Sequence, residues 1–167
     1  TAIRDNDPVM FFEHKMLYTT KFNDVPEVEE DVCIPFGRAR IVAEGADITV
    51  VTNSMMTIKA EKAVRQLQKE GISAELIDLR TIVPLDTETI IRSVKKTGKL
   101  LIVDEGHLSF GITGEIASRI MPDVFYDLDA PIQRMGTADV PLPFSPALEF
   151  PLIPDEKKIA AKIREMV

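Results

Sequence analysis

The chain of 167 residues carries 45% apolar and 28% charged side chains and a net charge of −7. That size suits one packed domain with a short appendage, and the acidity argues against a nucleic-acid surface, which needs a basic patch to meet phosphates. A single cysteine, Cys33, excludes an internal disulfide and a multi-cysteine metal site, and two histidines, His14 and His107, leave little for a histidine-rich metal centre.

No apolar run approaches the roughly 20 residues that cross a bilayer. The opening "TAIRDNDPVM" lacks the basic-then-apolar order of a secretory signal. It reads as the middle of a structured segment, so we expect a fragment, a processed subunit or an engineered domain. Residues 1–32 set Arg4, Lys15 and Lys21 against eight carboxylates, which places five of the seven net negative charges there. "NDVPEVEEDV" (23–32) is therefore expected to be a solvated linker. Ahead of it, Val9 to Phe12 of "PVMFFEHKMLY" predicts a short strand, too small to stand alone.

From Gly37 the pattern becomes regular. "ITVVT" (48–52) is β-branched and apolar, as a strand buried on both faces should be. Asn53 or Ser54 can cap a helix to about Glu70, with Ile58, Ala63, Val64 and Leu67 at helical spacing and Gly71 as its stop. "AELIDL" (74–79) predicts a second strand. Asp86 caps a helix that carries Ile90, Ile91 and Val94 and ends at Gly98. "KLLIVDE" (99–105) predicts a third strand, and the glycine-punctuated "GHLSFGITG" leads into a helix over about 115–120. "PIQRM" (131–135) predicts a fourth strand, "DVPLPFSP" (139–146) an extended surface arm, and "PDEKKIAAKIREMV" a terminal helix. The alternation of strands and helices indicates an α/β fold with a doubly wound, mostly parallel sheet and helices on both faces.

The residues that could carry chemistry are scattered. Gly106, Gly111 and Gly114 open a helix, and either cradle an anion or give backbone clearance at a tight turn. Their spacing is neither a dinucleotide fingerprint nor a phosphate-binding P-loop. His107 in that loop is either an acid or base or simply exposed. Ser109 and Ser145 lack the nucleophile-elbow pattern. Cys33 has no basic neighbour before Arg38 to form a reactive thiolate. Met55 and Met56 read as packing, and Arg80 as the partner of Asp86 or Asp104 in a structural ion pair. These clusters do not compose a complete active site.

Taken in order, "AIRDNDPVMFFEHKMLY", "IPFGRARIVAEGADITVV", "AELIDLRTIVPLD", "SVKKTGKLLIVDE" and "LDAPIQRMGTADVPLPF" closely resemble one family across nearly the whole chain. It is the carboxyl-terminal half of the beta subunit of thiamine-diphosphate-dependent 2-oxoacid dehydrogenases, the transketolase carboxyl-terminal domain of pyruvate, branched-chain 2-oxoacid and acetoin dehydrogenase complexes. The resemblance implies three parts: 1–18 as a remnant of the pyrimidine-binding domain, 19–36 as linker, and 37–167 as the transketolase carboxyl-terminal domain. It implies that thiamine diphosphate and magnesium are held by the missing domain and by an alpha subunit, so the isolated chain is expected to be inactive. The partners it implies are that alpha subunit, a second beta subunit and a lipoyl acyltransferase core, with neither nucleic acid nor membrane. The compartment it implies is the bacterial cytoplasm, or the mitochondrial matrix in a eukaryote.

Residue by residue, the resemblance carries a structural potassium site onto Ala2, Ile3, Asp5 and Asp7, completed by the missing domain; many relatives have asparagine where this chain has Asp7. Without the resemblance, Asp5 to Pro8 reads as a turn. It carries docking of the acyltransferase's basic subunit-binding domain onto Asp127, Asp129 and the terminal carboxylate at Val167, where opposite charge would speed a salt-sensitive encounter. His107 falls in a loop that in relatives faces the alpha subunit or the substrate channel, and "EGHLSFGITG" departs there from the more common "EAPxTGGFG". The proline arm is closer to the acetoin and pyruvate types than to the branched-chain type. The alternatives are a stand-alone small-anion-binding module using the 111–115 loop, and a fragment of a transketolase or deoxyxylulose-phosphate synthase.

Overall fold

The computed structural model describes residues 1–21 and 32–167; most of the expected linker lies outside the described residues. Strand β2, Ile48–Thr52, is buried at every position, as expected of a central strand packed on both faces. It pairs in parallel with β3, Ala74–Asp78, on one side and with β4, Leu100–His107, on the other. β5, Gln133–Thr137, extends the parallel set from β4. Strand β1, Arg40–Ala43, lies antiparallel to β3 and gives the sheet order β1-β3-β2-β4-β5. The sequence pattern did not reveal β1, because a four-residue edge strand with two exposed positions lacks the continuous apolar run of a central strand.

Strand parity divides the core into two layers. Val50, Leu76, Leu101 and Val103 face α1, Ser54–Lys69, and α5, Glu156–Met166. Val51, Ile77 and Ile102 face α2, Thr87–Thr97, and α3, Ile112–Val124. Helices on both faces of a mostly parallel sheet make the doubly wound α/β architecture. Asp86 and Asp155 cap α2 and α5, their carboxylates accepting the Thr89 and Lys158 N–H groups at 3.1 and 2.8 Å. Asn53 sits at the N-cap of α1, yet its side chain makes no cap bond.

Three predicted elements differ from the structure. Val9 to Phe12 forms no strand, and Met10, Phe11 and Phe12 are exposed, since β-propensity yields a strand only where a partner supplies the ladder. α3 is longer than expected, starting at Ile112 and continuing past Pro122 to Val124. Within the proline arm, Pro146–Glu149 turns into the short helix α4, Pro146 occupying the first turn where its missing N–H costs nothing.

Candidate functional site

In an open α/β sheet the carboxyl ends of the parallel strands are where ligands and partners meet the fold. Here that rim is formed by the β4–α3 loop and the end of β5. The β4–β5 ladder registers Val103 against Met135 and His107 against Thr137, so Asp104, Glu105 and Gly106 form a bulge between those pairs. Beyond it the loop is fixed by the Leu108 N–H donating to the Thr137 carbonyl at 3.1 Å and by Arg134 donating to the Leu108 carbonyl at 3.2 Å. Gly111 passes so close to the His107 carbonyl that a Cβ would collide with it. Backbone clearance is thus the observed use of that glycine.

His107 is exposed, and its Nδ1 lies 2.9 Å from the Ala138 carbonyl. A carbonyl only accepts, so Nδ1 carries the proton and Nε2 of the neutral ring is left with its lone pair outward. Ser109 donates both its N–H, at 3.4 Å, and its hydroxyl to Asp139. The hydroxyl bond, aided by the Ser109 N–H and by nearby His107, holds the Asp139 carboxyl below its ordinary value against a smaller opposing effect of burial. Phe110 projects fully into solvent at φ 57°, and Val140, Leu142 and Phe144 of the arm are exposed as well. The rim can therefore present an acceptor nitrogen, a carboxylate and an apolar surface.

A second rim feature escaped the sequence reading. His14 Nε2 sits 3.0 Å from Glu105 Oε2, across 91 residues, with both side chains partly buried. His14, Leu17 and Thr20 are the half-buried positions around the 3₁₀ turn Lys15–Thr19. That three-residue spacing is the signal that could have found this inner face.

The three docking candidates come together at the opposite, amino-terminal end of β4. Asp127 pairs with Lys95 at 3.8 Å, the Asp129 carboxylate lies against Gly98, and Lys99 Nζ reaches the Val167 carbonyl at 3.5 Å. Gly98 holds φ 68° at the end of α2, and a Cβ there would strike Asp129. Asp127, Asp129 and Val167 are all exposed. On the outer face of α3 nearby, an open depression of about 490 Å³ is lined by Ala117, Met121, Pro122 and Phe125.

The ion pair expected of Arg80 does not form. Asp86 instead accepts from Ala39 and Thr89, and Asp104 accepts from the Gly106 N–H at 3.0 Å. Arg80 bends back at φ 57° and donates its N–H to Asp78 at 3.3 Å. Ala2 and Ile3 lie in the turn Ala2–Arg4, and Asp5 accepts the Asp7 N–H at 2.9 Å, the local turn that the sequence also suggested. Among the described residues, no three His, Cys, Asp or Glu side chains converge to hold a metal ion. No described helix is long and apolar enough to cross a membrane.

The family model for the transketolase C-terminal domain matches residues 37–159, and the chain belongs to that family. It is 48% identical over 166 residues to the pyruvate dehydrogenase E1 component subunit beta of Rickettsia felis, across 99% of this chain and 50% of that one. It is 42% identical to the 2-oxoisovalerate dehydrogenase subunit beta of Bacillus subtilis, with the same two shares. To the acetoin:2,6-dichlorophenolindophenol oxidoreductase subunit beta of Cupriavidus necator it is 44% identical, over 98% of this chain and 48% of that one. The chain thus spans about half the length of the curated relatives it matches. Among solved structures, a split-gene transketolase described as an inactive beta4 tetramer superposes with a TM-score of 0.69 at 27% identity, over 85% of this chain and 45% of that one.

Proposed function

We propose that this chain is the carboxyl-terminal domain of the beta subunit of a thiamine-diphosphate-dependent dehydrogenase acting on a 2-oxo acid or acetoin, with a lipoyl group as acyl acceptor. The observation that carries the reading is the 48% identity over 166 residues to a pyruvate dehydrogenase beta subunit. In the intact enzyme thiamine diphosphate and magnesium supply the carbanion chemistry, and the missing half and an alpha subunit hold them.

The family match beginning at residue 37 supports reading 37–167 as the domain, 19–36 as connector and 1–18 as the tail of a preceding domain. The uncovered Met10, Phe11 and Phe12, 79%, 74% and 86% exposed, fit a segment whose sheet belongs to that missing part. Ala2, Ile3, Asp5 and Asp7 would then contribute backbone carbonyls and one or two side chains to a potassium ion that the preceding domain completes. Asp127, Asp129 and Val167 form a patch suited to a basic binding domain of an acyltransferase core. His107 faces the alpha subunit or the substrate passage. A cytoplasmic or mitochondrial-matrix setting follows from the same assignment.

The test uses the complete polypeptide containing this segment, purified with its alpha partner and supplied with thiamine diphosphate and magnesium. Oxidation of one of pyruvate, 2-oxoisovalerate or acetoin is expected, with none by the 167-residue chain alone. Failure with all three, or turnover by the short chain, overturns the proposal.

A further inference from the structure

We propose that His14 is a positioning residue: its bond to Glu105 holds the β4 bulge, and through it the loop that presents His107 and Phe110. Bulges at a sheet rim re-aim side chains, but they do so by giving up ladder bonds that would otherwise hold the strand. Between the paired positions Val103 and His107, the bulge Asp104–Gly106 is held by bonds from outside the ladder. The Thr137 hydroxyl donates to the Glu105 carbonyl at 2.7 Å, the Gly106 N–H donates to Asp104, and His14 takes the Glu105 carboxylate.

Of these three, the His14 bond alone ties the bulge to a segment remote in sequence from both strands. Leu101 and Val103, just before the bulge on β4, face the α1–α5 layer. Leu17, one 3₁₀ turn beyond His14, packs into that same layer. The segment around Lys15–Thr19 therefore lies on the sheet like a strap, with Leu17 as its apolar anchor and His14 as its polar one.

The ring chemistry fixes the direction of the bond. His14 Nδ1 accepts the Met16 N–H at 3.2 Å, so it bears no proton. Nε2 then carries the hydrogen and donates to Glu105. Both ring nitrogens are satisfied in the neutral state, and an amide placed at Nε2 can reproduce the one bond that reaches the bulge.

Amide hydrogen exchange on the full 167-residue chain tests this without reference to catalysis, using H14A, H14Q and E105A. The loss of one partly buried hydrogen bond should speed exchange across residues 104–111 roughly five- to tenfold in H14A and E105A, while H14Q stays within about twofold of the parent. Nitrogen-15 shifts of the His14 ring should report the Nε2–H tautomer in the parent chain. Unchanged exchange across 104–111 in H14A, equal loosening in H14Q, or an Nδ1–H ring would each overturn the proposal. If a variant unfolds globally, an Nδ1–H ring in the parent chain would still overturn the proposal.

Discussion

The carboxylate of Asp86 accepts the N–H of Ala39 at 2.8 Å while it caps α2 through Thr89, so one side chain joins the entry of β1 to the start of a helix 47 residues later. The adjoining bond, from the Gly37 N–H to the Thr81 hydroxyl at 2.9 Å, ties the same two stretches together. The charged corner that follows Leu79 is therefore where the incoming edge strand is fastened.

Replacing Asp86 should expose both roles. Loss of a helix cap costs about 1 kcal/mol and an unsatisfied buried N–H about 1–3 kcal/mol, so D86A should lose about 2–4 kcal/mol in chemical denaturation. The acid branch follows from the carboxyl's environment. Burial raises its pKa, but the Ala39 and Thr89 N–H groups, the Thr89 hydroxyl and nearby Arg38 outweigh that and hold it below the ordinary value of 3.8. A depressed carboxyl stabilises fully above its unfolded pKa and ceases to do so as pH falls through the folded one. The stability gap between the parent chain and D86N should thus be constant above about pH 5 and begin to narrow as pH falls below about 4. A gap that shows no narrowing below about pH 4 would contradict this account.

Phe110 makes the opposite prediction. Its side chain is fully exposed, while its backbone sits at φ 57°, a region where asparagine is tolerated and most other residues are strained by about 1 kcal/mol. F110N should therefore raise stability by roughly 0.5–1 kcal/mol in the free chain. If the aromatic ring serves contact with a partner, the same variant should weaken assembly while stabilising the chain. Thermal melts of the free chain and binding to the alpha partner separate the two effects.

These positions also show what could be read from residue order. β2, β3 and β4 and helices α1 and α2 were legible because buried strands write continuous apolar runs, and Asp86, Gly71 and Gly98 mark helix ends locally. β1 and the missing strand at Val9 to Phe12 were misjudged for a shared reason: pairing decides an edge strand, and the partner is far away in sequence. The bulge at Asp104–Gly106 depends on two strands being out of step, which neither strand's residues disclose. The His14–Glu105 and Ser109–Asp139 contacts span 91 and 30 residues and follow from topology. The family resemblance supplied Asp127, Asp129 and Val167 as candidates; their convergence around Lys95, Gly98 and Lys99 emerged only from the fold.

That convergence can be probed with D129K. Asp129 rests over the carboxyl end of α2, where the helix dipole favours a cation over an anion. The substitution should leave the melting temperature of the chain unchanged or slightly raised. Affinity of the assembled enzyme for a basic subunit-binding domain should nonetheless fall, roughly tenfold for about 1.4 kcal/mol of lost charge pairing. The salt dependence of binding should become shallower at the same time. Unchanged affinity in a folded variant would remove Asp129 from the docking surface.

Glu75 is 2% exposed on β3 and pairs with Lys96 on α2, while Glu44 also reaches Lys96 at 3.5 Å. Burial pushes the Glu75 carboxyl up most strongly, but hydrogen bonds from Lys96, Ser93 and the Gly45 N–H bring it below its ordinary value. Lys96 is raised, chiefly by its bond to Glu75. Removing one member of a fully buried pair costs roughly 3–5 kcal/mol, because the remaining charge is stranded. Lys96 is 44% exposed and water can partly replace it, so K96M should lose about 2–3 kcal/mol. Adding E75Q to K96M removes the stranded charge and should recover about half of that loss, since a neutral amide can still bond Ser93 and Gly45. Strictly additive losses in the double variant would show that the pair acts through packing, and would sink the electrostatic account.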